Sequence, residues 1–113
     1  MPRDLRLCAP DELPPGRARV LEEGTRRVAV FNVGGALHAI DDLCSHRWGP
    51  LSEGDLEGFL VSCPWHGWQF DVRSGACDTV ADRDVASYPV RLDGDAIVVT
   101  LPDDPEAAPA PEA

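Results

Sequence analysis

Cys44-Ser45-His46 and, after sixteen intervening residues, Cys63-Pro64-Trp65-His66-Gly67 are the two stretches on which the reading of this 113-residue chain turns. Each offers one thiolate and one imidazole, so the chain presents the same mixed pair twice. Soft sulfur and borderline nitrogen suit a cofactor whose two metals differ in ligand preference. Two Cys and two His also suit tetrahedral zinc. The ligands of a zinc pair, however, usually stand about two to four residues apart, whereas a single residue separates Cys44 from His46.

The stretch from Cys44 to Gly67 resembles the Rieske iron-sulfur signature, C-x-H, a spacer, then C-x-x-H-G. Ala39, Ile40 and Asp41 before the first pair, Gly54 in the spacer, and Phe70, Asp71 and Gly75 after the second extend the likeness. It covers residues 3–101 and is strongest toward the soluble Rieske ferredoxins of bacterial multicomponent oxygenases. The resemblance implies an all-β Rieske fold, an antiparallel β-sandwich base with a cluster-binding subdomain inserted at about residues 41–80 of a domain spanning 1–102. It implies one 2Fe-2S cluster held by Cys44, His46, Cys63 and His66. It further implies that the Cys-bound iron is buried while His46 and His66 stand at the surface as the electron's exit. With two thiolates the oxidised centre is formally neutral, and a neutral centre accepts an electron more readily than an anionic one, which is why two His in place of two Cys raise the potential.

The neighbours of the ligands say which kind of Rieske protein is expected. High-potential members carry one extra Cys in each loop, joined as a disulfide; here Gly49 and Trp65 take those places. They also carry Ser and Tyr hydroxyls that stabilise the reduced state, where this chain has Trp68 and Phe70. The expected potential is therefore at the low end of the Rieske range, about −150 mV or somewhat above. Gly49, Gly54 and Gly67 are read as allowing close backbone approach and positive backbone angles, and Pro50 and Pro64 as stiffening the loops. All three tryptophans, Trp48, Trp65 and Trp68, lie in or beside the loops, as shields against water or as docking residues. One departure from the family is the stretch 77–87, where many members place a proline-containing covering loop and this chain has no proline until Pro89.

Composition narrows the rest. A hydrophobic content of 43% suffices for one modest core. The net charge is −10, and residues 102–113 supply four of those charges through Asp103, Asp104, Glu106 and Glu112, with four prolines and no basic residue. Residues 103–113 read as a disordered acidic tail. The acidic body argues against nucleic acid and anionic membrane and for partners with basic docking patches. The first ten residues hold no apolar run of the length a signal or anchor needs, which reads as cytoplasmic. Cys8 and Cys77 read as structural or unremarkable thiols, His38 as a structural or surface residue, and Arg47 as a surface residue beside His46.

Strand-like alternation separated by turn residues runs along the chain, with little helical periodicity. Strands are expected at residues 4–8, 18–22, 26–33, 36–40, 58–62, 68–71, 88–92 and 96–101, with hairpin turns at Gly34-Gly35 and Asp93-Gly94-Asp95. The resemblance then implies an electron carrier rather than an enzyme. It would take electrons one at a time from a flavin-dependent reductase and pass them to a terminal oxygenase, docking near His46 and His66. An oxygenase would need a second iron bound by two His and a carboxylate, and only His38 remains for it. The alternative is a small subunit of a larger redox enzyme, similar to that of assimilatory nitrite reductase.

Overall fold

The computed structural model describes residues 3–23, 26–42, 50–64, 67–79 and 84–101. Within them the chain builds ten strands and two single-turn 3-10 segments, with no α-helix among the described residues. No described helix is long and apolar enough to cross a membrane. The strands are β1 (Arg3–Cys8), β2 (Ala18–Glu23), β3 (Arg26–Val33), β4 (Ala36–Asp41), β5 (Asp55–Glu57), β6 (Leu60–Ser62), β7 (Gln69–Asp71), β8 (Ser87–Tyr88), β9 (Val90–Asp93) and β10 (Ala96–Leu101). They pair antiparallel in three sheets, ordered β1-β10-β9, β2-β3-β4-β8 and β5-β6-β7. The all-β antiparallel architecture is the one expected.

The sequence of β3 explains how the sheets stack. Val28-Ala29-Val30-Phe31 is a continuous apolar run, and a strand that is apolar on both sides must be covered on both. Val28 and Val30 face Ile97, Val99 and Leu101 of the outer sheet, together with Cys8, Leu13, Ala39 and Tyr88. Ala29 and Phe31 face the opposite way, into a second core with Ile40, Leu51, Val61, Cys63, Phe70, Val72 and Val85. The β2-β3-β4-β8 sheet is thus the middle of three layers, and the small β5-β6-β7 sheet closes the side that carries Cys63.

Turn chemistry fixes the registers. Val33 pairs with Ala36 across Gly34-Gly35, both at positive φ (61° and 100°), a two-residue hairpin that side-chain-bearing residues adopt only with strain. Two expected strands need correction. Residues 88–92 are not one strand: Pro89 interrupts them, leaving Ser87–Tyr88 on the middle sheet and Val90–Asp93 on the outer one. Proline has no N–H to donate to a ladder, so the chain changes sheets there. The strand expected at 58–62 begins only at Leu60, because Gly58 and Phe59 form the turn of a hairpin whose first arm, β5, carries no strand pattern of its own. The expected tail, residues 103–113, lies outside the described residues.

Candidate metal centre

The second ligand loop grows from a hairpin. Ser62 pairs with Gln69 at the end of the β6-β7 ladder. One step further, the Cys63 N–H donates to the Trp68 carbonyl at 2.7 Å and the Gly67 N–H donates back to the Cys63 carbonyl at 2.9 Å. Gly67, at φ 77°, supplies the left-handed turn that this closure needs. The loop from Cys63 to Trp68 is therefore tied across its base. Cys63 is 3% exposed, stands in no disulfide among the described residues and packs among Leu51, Val61, Phe70 and Val72. Trp68 is half-buried against the same cluster, which supports the shielding role for this tryptophan. Phe70 is wholly buried beside them, a plain ring with no hydroxyl to offer.

The first ligand loop is tied at its mouth. Cys44, His46, Trp48 and Gly49 lie outside the described residues, as do Trp65 and His66. The segments on either side of 43–49 are described, and Asp42 joins them. Its backbone carbonyl accepts from Leu51 N–H, and its Oδ1 accepts from Ser52 N–H at 2.7 Å. Its Oδ2 accepts from Arg27 Nη2 at 2.9 Å and Nε at 3.2 Å. Asp42 is fully buried, while Arg27 is half-exposed and also pairs with Glu22. The carboxylate holds the Arg27 guanidinium more firmly protonated than usual, chiefly through the side-chain hydrogen bond.

Gly54 and Gly75 lock the surrounding segments together. Gly54 lies at φ −82°, so the positive angle expected for it is not found. Its role is steric: a Cβ there would stand 1.9 Å from the carbonyl oxygen of Ser62, directly before Cys63. Gly75, at φ 83°, brings a second such approach, 2.1 Å from the Val85 carbonyl. Beyond β7, Asp78 N–H donates to Gln69 O and Gln69 N–H to Thr79 Oγ1, so residues 76–79 run along the hairpin on its free edge. Residues 80–83 of the stretch expected to lack a covering proline lie outside the described residues.

Of the other candidate groups, Cys8 lies in the opposite core, while Cys77 packs on the cluster that holds Cys63. Cys8 is buried in the outer core, where burial pushes its thiol pKa up, and Cys77 bridges Phe70 with its N–H on Asp84 Oδ1. His38 meets Phe59 edge-on, with Arg73 stacked on that ring at 4.2 Å, and its Nε2 is buried with no hydrogen-bond partner among the described residues. Among the described residues no three metal-ligating side chains gather. The described part of the donor set fits an iron-sulfur cluster: a buried thiol in no disulfide among the described residues, apolar surroundings, and a loop tied across its base by backbone hydrogen bonds. Arg27, Asp42 and Ser52 were not anticipated. Arg27 and Asp42 are fifteen positions apart, with no spacing that marks them.

Comparisons with known proteins bear on the same segment. The Rieske [2Fe-2S] domain family matches residues 4–89. The ferredoxin component of the p-cumate 2,3-dioxygenase system of Pseudomonas putida is 39% identical over 98 residues, covering 84% of this chain and 83% of that protein. The solved complex of reduced oxygenase and oxidized ferredoxin in carbazole 1,9a-dioxygenase contains a chain 31% identical to this one, with a TM-score of 0.78 over 84% of this chain and 99% of that one. A protein described as a nitrite reductase small subunit from Mycobacterium tuberculosis superposes with a TM-score of 0.83 at 24% identity over 92% of this chain and 99% of that one, a likeness of fold alone.

Proposed function

Because the chain belongs to the Rieske [2Fe-2S] domain family, we propose that it is the ferredoxin component of an oxygenase system, carrying single electrons to a terminal oxygenase. The observation that carries this reading is the 39% identity to a dioxygenase ferredoxin component across 84% of the chain. The likeness to a nitrite reductase small subunit, at 24% identity, is weaker and supports the fold only. The chain is an electron-transfer component and not itself a catalyst.

In this reading Cys44, His46, Cys63 and His66 hold a Rieske-type 2Fe-2S cluster. When bound, such a cluster takes up and returns one electron at a potential that its two neutral imidazoles raise above that of an all-thiolate centre. The chain's own contribution is placement. Cys63 is kept in a dry, close-packed setting, and both loop bases are hydrogen-bonded shut, which limits movement of the ligands when charge arrives. His46 and His66 form the contact face for partners, a flavin-dependent reductase on one side of the cycle and the terminal oxygenase on the other. The acidic body favours partners with basic docking patches. The same reading places the protein in the cytoplasm, with the cluster-binding subdomain at about 41–80 and a solvating tail at 103–113.

The test is reconstitution. Purified protein is expected to be red-brown, to give a rhombic paramagnetic resonance signal when reduced, and to restore turnover to an oxygenase supplied with reductase. Cys63→Ser is expected to lose colour and signal together. A colourless, iron-free protein that binds zinc would overturn the assignment.

A further inference from the structure

Asp42 is an expensive residue for its place. A fully buried carboxylate loses its hydration, a penalty that only good partners offset, and a buried pair is often no more stabilising than apolar side chains of the same size. Stability alone therefore gives little reason for it. Its geometry gives another. The two oxygens divide their work: Oδ2 takes the Arg27 fork from β3, and Oδ1 takes the Ser52 N–H from the far side of the first loop. The backbone of the same residue adds two more ties, its N–H donating to the Arg27 carbonyl at 2.9 Å and its carbonyl accepting from Leu51. One side chain thus fastens both ends of the seven-residue segment 43–49 to each other and to the rigid middle sheet. Cys44 lies two positions after it and His46 four.

We propose that Asp42 is a positioning residue for the first ligand loop: anchored by Arg27, its carboxylate closes the loop on Ser52 and so sets how Cys44 and His46 are presented to the cluster. This rests on the reading of the chain as a cluster carrier. Groups that orient metal ligands from behind typically change metal affinity by about 10–100-fold when lost. Asp42 acts one step further back, so the lower end applies.

The experiment uses the full chain as wild type, Asp42→Ala, Asp42→Asn and, as a control, Arg91→Gln, which breaks an ion pair with Asp4 on the outer sheet. Each is measured for far-ultraviolet dichroism and thermal unfolding, for the g values of the reduced paramagnetic signal, and for the rate of iron release to a chelator. Asp42→Ala is expected to release iron about tenfold faster than wild type and to show altered g values. Asp42→Asn, which keeps an oxygen for the Ser52 N–H, is expected to recover part of both. Arg91→Gln is expected to change neither. If Asp42→Ala lowers only the unfolding temperature, with wild-type g values and iron release, Asp42 is a structural residue and the proposal fails. Should Asp42→Ala not fold, wild-type values in Asp42→Asn for both readouts overturn it equally. A wild-type protein that carries no cluster overturns the carrier reading first and the proposal with it.

Discussion

The α-carbon of Gly54 lies so near the Ser62 carbonyl that a methyl group added there would sit 1.9 Å from the oxygen. This contact joins the segment leaving the first ligand loop to the strand that enters Cys63, and it is made with backbone, which has no rotamer by which to yield. Asp42 fastens the first loop to the middle sheet, and Gly54 fastens the segment leaving that loop to the second one.

Gly54→Ala is accordingly expected to be costly although its backbone angles suit alanine. The loss should reach or pass the upper end of the about 1–3 kcal/mol that overpacking usually costs, since strand β6 must shift. Urea unfolding of apo and loaded protein measures it, and iron content per chain should fall in parallel. Wild-type stability in this variant would show that the two segments separate easily.

The reduction midpoint should fall near the low end of the Rieske range, about −150 mV or somewhat above. Phe70 is wholly buried and Trp68 packs on the Cys63 cluster, so neither residue brings a hydroxyl toward the centre. A spectroelectrochemical titration decides this, and a midpoint above roughly +100 mV would contradict it.

Asp71 makes stability depend on acid. Its hydrogen bond with the Arg73 side chain, and secondarily that with the Arg73 backbone, holds its carboxyl below the ordinary aspartate range. A carboxyl whose pKa is lower folded than unfolded contributes stability above its unfolded value, and that contribution fades as pH falls through the folded one. Asp71→Asn should therefore be less stable than wild type at neutral pH, and the gap should narrow from about pH 4 downward. Denaturant titrations between about pH 2 and 7 test this, and a constant gap would rule out the linkage.

Electron exchange with a reductase should slow as salt rises. The chain carries a net charge of −10, and encounters steered by opposite charge weaken once screening lengths shrink below about 10 Å. Stopped-flow rates from about 0.02 to 0.5 M salt are expected to fall about tenfold, whereas a flat profile would point to an apolar docking face.

The strands, their turns and the ligand pattern were legible because each rests on local chemistry. Gly34-Gly35 between two strand-like apolar runs signals a hairpin, and the Cys44, His46, Cys63 and His66 spacing is a property of the chain alone. Strand β5 was missed because Asp55-Leu56-Glu57 carries little β preference and is a strand only by virtue of pairing with Leu60–Ser62. Pro89 was visible, but its effect was not, since the residues on either side find partners in different sheets.

What the sequence determined by itself was therefore the kind of fold and the kind of cofactor: alternation, turn glycines and four soft or borderline ligands in a fixed order. Only the tertiary structure decided how the loops are held. It set both faces of β3 against separate cores, placed Cys63 in one of them, and brought Arg27 to Asp42 and Gly54 to Ser62. Those contacts join residues eight to fifteen positions apart through ion pairing and van der Waals exclusion, which act through space and leave no periodic mark on the chain.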